Sequence, residues 1–321
     1  MPNLPLPRRA VRRPSLNALT TRTALVIVAV AATACGTTAP PSASVAAPST
    51  SPSESPRAAA SATPAVGAIE HSTAATDVIL RIEHGGGFVP IEFLANQAPE
   101  FTLYGNGVVV FQQAPTVVPE PDANGVVKGL PWRTASLDED QVQELLEFAL
   151  IQGGLGAARE TYMSNGIADA PNTVFTIHAG GVDKTVAVNG LGIDTEAGPD
   201  VIARAAFARL AARLQDFDRG GSIGSDVYQP ERYRGVLIER DAAAAGTLPW
   251  PWLLIKPGDF KPGAGNGNGE PVLPHRTMTA TDVAALALTG IEGGVQGLTL
   301  GGPDGKTYGF ILRPLLVDEA Q

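Results

Sequence analysis

Hydrophobic and polar positions change their spacing several times along the 321 residues. Val78, Leu80 and Ile82 alternate with Ile79, Arg81 and Glu83, which is the two-residue period of a strand. A Gly85-Gly86-Gly87 break follows, and the chain stays extended through Phe93. Phe101–Tyr104 and Val108–Phe111 flank Gly105-Asn106-Gly107, a hairpin signal because these turn residues tolerate positive φ. At Val142, Leu145, Leu146 and Ala149 the apolar spacing becomes i, i+3, i+4, i+7, so a helix is predicted there. Ser136-Leu-Asp-Glu139 matches a capping box at its start, and Gly153-Gly154 ends it. Acids at 138–140 answer the helix dipole and are not read as a metal cluster.

Two further strands, 173–177 and 184–188, are joined through Ala179-Gly180-Gly181, and a second helix is expected from Pro199 to Leu214. Gly220-Gly-Ser-Ile-Gly224 then interrupts the pattern and marks a boundary between residues 77–218 and 225–321. Parts of the plan recur beyond it. Arg276-Thr-Met-Thr279 parallels Arg133-Thr-Ala-Ser136 before a helix, and Gly293-Gly294 parallels Gly153-Gly154 after it. Gly301-Gly302 and Lys306-Thr307 likewise parallel Gly180-Gly181 and Lys184-Thr185 in a hairpin. The expected fold class is α+β, with two small sheet-plus-helix subdomains related by a divergent helix-then-hairpin duplication.

Before residue 77 the periodicity disappears. Five arginines precede the apolar run Ala24–Ala34, and no acid occurs before Cys35. A basic start and an eleven-residue apolar run describe a secretory signal, too short to span a bilayer at ~20 apolar residues. Arg12-Arg13 is followed by Pro14 and Ser15, a poor context for a twin-arginine signal. Residues 35–76 are rich in Ala, Ser, Pro and Thr with few charges, the composition of a disordered tether.

Composition then sharpens the picture. A single cysteine excludes an intrachain disulfide and a Cys-rich zinc site. Formal charge is −9, but loss of residues 1–34 takes five of the 23 basic side chains. The 18 that remain face 32 acids, giving −14. Such a surface is repelled by phosphate backbones, so nucleic acid is not an expected partner. His71, His84, His178 and His275 lack metal-ligand spacing, and no P-loop, dinucleotide fingerprint or EF-hand loop occurs. No metal or cofactor is therefore expected.

Two stretches carry candidate chemistry. His84-Gly-Gly-Gly-Phe88 and Gly220-Gly-Ser222-Ile-Gly224 resemble the oxyanion loop and nucleophile elbow of hormone-sensitive-lipase-type esterases. That resemblance implies Ser222 as nucleophile, His275 as base and Asp241 or Asp259 to orient it. Against it, an elbow needs a buried strand before the serine and a helix after it, and the sequence predicts neither. Trp250 and Trp252, framed by Pro249 and Pro251, share one face if extended and would stack on a sugar, although core packing is the commoner fate of tryptophan.

Ala32-Thr-Ala34-Cys35-Gly36 resembles the lipobox of bacterial lipoproteins, in which the cysteine receives a diacylglycerol thioether and cleavage falls just before it. Ala32 stands where leucine is usual. Residues 77–192 resemble an uncharacterised domain of bacterial secreted and lipid-anchored proteins. The resemblance rests on Pro99-Glu-Phe-Thr-Leu-Tyr-Gly-Asn-Gly107, Ala168-Asp-Ala-Pro171 and Gly181-Val-Asp-Lys-Thr-Val186. With Pro249-Trp-Pro-Trp252 and Leu312-Arg-Pro-Leu-Leu316, the whole chain is similar to actinobacterial-type lipoproteins. The resemblance implies an extracytoplasmic protein on the cell membrane, anchored through lipid on Cys35. Its expected role is non-enzymatic recognition of an envelope or extracellular protein or glycan. The alternatives are an extracellular serine esterase and, more loosely, an inhibitor of secreted proteases.

Overall fold

Strand β1 (Val78–Gly85) begins the fold of the computed structural model, which describes residues 67–319 apart from 88, 91–93, 96, 114, 116, 165–166, 168, 194–197, 242–245 and 264–272. The first half adds β2 (Phe101–Tyr104), β3 (Val108–Phe111), β4 (Val127–Lys128), β5 (Arg133–Ser136), β6 (Thr161–Tyr162), β7 (Asn172–Ala179) and β8 (Val182–Asn189). The second adds β9 (Asp226–Val227), β10 (Arg232–Arg240), β11 (Leu248–Pro249), β12 (Lys261–Pro262), β13 (Pro274–Thr279), β14 (Val295–Gly301) and β15 (Thr307–Pro314). Helices α1 (Glu139–Glu147), α2 (Val201–Gln215) and α3 (Ala280–Ala284) complete a mixed α+β chain.

The strands form two sheets. One has the order β6-β8-β7-β1-β2-β3-β5-β9; the other runs β11-β14-β15-β10-β13-β12, with β4 also paired to β14. Each sheet thus takes one short strand from the other half: β4 lies against Val295 and Gln296, and β9 against Arg133 and Thr134. The two hairpins attach differently. In the first sheet the leading hairpin strand, β7, docks on β1; in the second the trailing strand, β15, docks on β10. The halves share an order of elements, but their hairpins are joined through opposite strands.

The predicted hairpin 101–111 and the strand pair around Gly180-Gly181 form at the expected residues. The α1 cap is displaced. Ser136 is the last residue of β5, paired with Val108, so its backbone belongs to the ladder. The helix begins instead at Asp138, whose carboxylate accepts the Gln141 N–H at 2.9 Å while Gln141 Oε1 accepts the Asp138 N–H at 2.9 Å. A wider π-type turn, Phe148–Gln152, carries the helix to Gly153.

Order also begins earlier than Asp77. Gln143 on α1 clasps the Ile69 backbone from both sides, accepting its N–H at 2.7 Å and donating to its carbonyl at 2.9 Å. Gly105 permits this docking, because a Cβ there would collide with the carbonyls of Ser72 and Ala74. Residues 67–76 have tether-like composition, yet the Gln143 amide, a bond from Gly180 N–H to the Glu70 carbonyl at 2.7 Å and a bridge between His71 and Ala179 hold them.

The first core lies between its sheet and the helices. Leu145 and Leu146 of α1 and Phe207, Leu210 and Leu214 of α2 meet Phe101, Phe175, Ile177 and Val186 of the strands. Phe217, just beyond α2, wedges between Phe101 and Phe111 at 5.0 and 5.3 Å between ring centres. The second core is aromatic, built on Trp252, Phe260 and Phe310. After β15 the chain crosses to the far face of the first sheet, where Leu316 joins Tyr104, Val110, Trp132 and Tyr228.

Candidate functional site

His84 lies near the end of β1, with Nδ1 3.0 Å from Glu100 Oε1 but poorly aligned for a hydrogen bond. Gln215 Nε2 donates to the other Glu100 oxygen at 2.9 Å. Burial alone would raise the Glu100 pKa, but His84 and the Gln215 amide outweigh it and hold the carboxyl below its ordinary value. Gly86 and Gly87 take positive φ, as the glycine break anticipated, while Phe88 lies outside the described residues.

Ser222 does not sit on an elbow. α2 precedes it and the two-residue strand β9 follows it, so the strand–turn–helix of a hydrolase nucleophile is not built here. Its hydroxyl donates to the Asp218 carbonyl at 3.0 Å, and the same oxygen accepts the Ser222 N–H at 2.7 Å. His275 is on β13, in register with Lys261 and Val236, with Nδ1 3.0 Å from the Leu273 carbonyl. Asp259 accepts the Lys256 N–H at 2.8 Å, and Asp241 is exposed just beyond β10. The hydrogen bonds of Ser222, His275 and Asp259 thus run to their own loops and not to one another.

What the 216–223 segment does build is a groove. The Asp218 carbonyl gathers the N–H groups of Gly221, Ser222 and Ile223, and its buried carboxylate receives Gln113 Nε2 at 2.5 Å. This compact turn holds Phe217 and Ile223 against Phe148 and Ala212, forming the apolar floor of a groove of about 590 Å³. Arg209, Arg213 and Arg219 rim it, together with the exposed Asp216. Arg213 lies 4.9 Å above the Phe148 ring and donates to Glu144 at 2.9 Å; Arg209 donates to the Gln152 carbonyl at 3.2 Å. Arg219, at φ 47°, donates its backbone N–H to the Asp216 carbonyl at 3.1 Å, and its guanidinium has no partner among the described residues. Two segments meet here, Phe148 and the stretch 209–223, so no single stretch of sequence announced the groove. The available signal was Arg209 and Arg213, one helical turn apart beside a helix-ending phenylalanine.

Trp250 and Trp252 do not form a sugar platform. Trp252 Nε1 donates to the Asp282 carbonyl and Trp250 Nε1 to the Ile255 carbonyl, each at 2.7 Å. The rings cross at 80°, and Trp252 is buried against Phe260 and Phe310. Their neighbours Leu253 and Leu254 point outward instead, 90% and 92% exposed.

A further group of charges is buried under the C-terminal segment. Arg81 Nη2 donates to both Asp318 oxygens at 2.9 and 2.8 Å, and Tyr104 donates to one of them at 2.7 Å. Arg313 meets Glu319 through two bonds of 2.9 and 2.7 Å. Burial, followed by the neighbouring acids, pushes the Tyr228 hydroxyl up to about 12; its proton is donated to the Leu315 carbonyl. These groups pair across both sheets and read as a structural clasp. Among the described residues no three His, Cys, Asp or Glu are placed to hold a metal ion, and no helix is long and apolar enough to cross a membrane. Cys35 lies outside the described residues. Compared with protein-family profiles, with curated proteins and with solved structures, the chain finds no match.

Proposed function

We propose that this chain is an extracytoplasmic lipoprotein, anchored at the cell membrane through lipid on Cys35, whose folded part is a non-enzymatic binding module. Its partner is an envelope or extracellular protein that offers a segment combining acidic and apolar side chains. The observation that carries this reading is the groove beside α2, with its apolar floor and three arginines against one aspartate on its rim, on a chain of net charge −9. Guanidinium groups pair carboxylates in a fixed fork, and stacking on Phe148 already orients the Arg213 side chain. Apolar burial on the floor would supply affinity, while the rim would select against basic partners.

The anchor and the groove are tested separately. Replacement of the cysteine, Cys35→Ala, should release the protein from membranes; unchanged retention would refute the anchor. A synthetic peptide alternating Glu and Leu should bind the folded protein in a salt-sensitive manner, and its Lys/Leu counterpart should not. Arg209→Ser with Arg219→Ser should weaken the first peptide at least tenfold, and equal binding of both peptides would overturn the groove reading. Ester hydrolysis by the purified protein, abolished in Ser222→Ala, would overturn the non-enzymatic role.

A further inference from the structure

Among the described residues three that are not glycine take a left-handed backbone: Asp169, Arg219 and Ala287. Aspartate tolerates that region, because its short side chain bonds locally. Ala287 closes the turn after α3, with its N–H on the Ala284 carbonyl at 3.0 Å, and carries no functional group. Arg219 also closes a turn, but it puts a long cationic side chain at the rim of the groove beside α2. Gly220 and Gly221 follow it at φ 68° and 94°, and a Cβ at either would meet nothing within 4 Å. Glycine serves there for conformation alone. In this left-handed run of three residues, only position 219 carries a side chain. Such positions crowd the Cβ of an L-residue, and they cluster where a ligand is held.

The three rim arginines are not equivalent. Arg213 is paired with Glu144 and lies on the Phe148 ring, and Arg209 holds the Gln152 carbonyl. The Arg219 guanidinium is exposed and has no partner among the described residues. The two acids next to it do not take it. Asp218 turns its buried carboxylate to Gln113 Nε2, and the exposed Asp216 pairs with none of the three arginines among the described residues. The Arg219 backbone, by contrast, is held on both sides. Its N–H meets the Asp216 carbonyl, and the Asp218 carbonyl gathers the N–H groups of Gly221, Ser222 and Ile223, the last of these a floor residue of the groove. An unpaired guanidinium on a fixed backbone presents its full fork to one carboxylate, the geometry in which such pairs are strongest.

We infer that Arg219 is the groove residue that selects a carboxylate-bearing segment, and that its left-handed backbone is a stability cost kept for that contact. This presupposes the groove as the binding site and names which of its three arginines discriminates. Stability and recognition are then opposed at position 219: the substitution that relieves the backbone is the one that removes the guanidinium.

Arg219→Gly and Arg219→Ala in the full chain test both halves. The two variants lack the guanidinium alike and differ only at Cβ, so Arg219→Gly should have the higher urea midpoint. Both should bind the alternating Glu/Leu peptide at least about tenfold more weakly than the wild type. Arg219→Lys, which keeps the charge without the fork, should also bind more weakly than the wild type. Arg209→Ser should cost less affinity than Arg219→Gly. Wild-type affinity in Arg219→Gly would overturn the inference, as would an equal or larger loss in Arg209→Ser. So would a urea midpoint for Arg219→Gly no higher than that for Arg219→Ala. The two readings fail differently: a wild-type chain that binds neither peptide removes the groove as a site, whereas a wild type and an Arg219→Gly that bind the Glu/Leu peptide equally remove only the role of Arg219.

Discussion

The two faces of the first sheet are covered by different means, and on the far face only β1, β2 and β3 are covered while His178, Asp183 and Thr185 of β7 and β8 stay exposed. Under α1 and α2 the strands present Phe101, Phe175, Ile177 and Val186, and the helices seal them with leucines and Phe207. On the far face the same strands present Arg81, Glu83, Thr102 and Tyr104, and the C-terminal residues cover them with Asp318, Glu319 and Leu316. The helical face is held by non-directional apolar burial. The far face adds to its apolar cluster around Leu316 directed hydrogen bonds between charges, which must be paired to be tolerated at all. One face therefore tolerates changes of shape within its volume, whereas the other tolerates changes only in pairs.

The largest effect is expected on the helical face. Phe207 is wholly buried between Tyr162 and Phe175, so Phe207→Ala should cost about 3–5 kcal/mol in urea unfolding. Next comes Arg313→Ala, which leaves Glu319 with an unpaired, mostly buried charge and should cost about 3 kcal/mol. Replacing both partners, Arg313→Met with Glu319→Leu, should recover most of that loss. If the double variant is no more stable than Arg313→Ala, the far face is held by packing and not by pairing.

The pH dependence separates two carboxyls of that face. Burial raises the Glu319 pKa, but the Arg313 bonds, its charge and the Leu316 N–H outweigh burial and hold it below the ordinary 4.5. A carboxyl depressed in the folded state stabilises above its unfolded value, and that contribution is lost as pH falls through the folded value. Glu83 behaves oppositely: burial, the leading cause, raises it above 4.5 against the pull of Arg81. Its folded state prefers the proton, so its contribution declines as pH rises through the folded value. Glu83→Gln should therefore raise the urea midpoint at neutral pH, with the gain vanishing well below 4.5. A gain that persists in acid would show that Glu83 acts through packing. The smallest effect belongs to the exposed leucine pair, where Leu253→Ser should alter stability by no more than about 0.5 kcal/mol.

The contrast explains what was legible in the chain. Periodicity located β1, β2, β3, β7, β8, α1 and α2 because an apolar core selects residues by spacing alone. Alternation along β1 is interrupted by a bulge between Val78 and Leu80, which puts Ile79 with Leu80 and Ile82 in the helical core and Val78 on the far face; locally, Arg81 and Glu83 look like a solvated face. They are covered by residues 315–319, more than two hundred positions away. A local pattern does not contain that information. The Ser136 cap failed for a related reason: the strand ladder had already claimed its backbone, so Asp138 took the role. The Gly220–Gly224 motif marked a real backbone feature, since Gly220 and Gly221 take positive φ, but the chain enters it from a helix and not from a buried strand.

By itself, then, the amino-acid sequence determined the α+β class, most strand and helix positions, the acidic balance and the lone cysteine, because these follow from side-chain identity and short-range spacing. Only the tertiary structure decided that Trp252 is buried and Trp250 half-buried while two leucines beside them are exposed, and that three arginines rim one groove. It also decided that the C-terminal residues cover β1, β2 and β3 on the far face of the first sheet. Burial and pairing are properties of contacts between distant segments, and nothing in a residue's own neighbourhood records which segment will arrive.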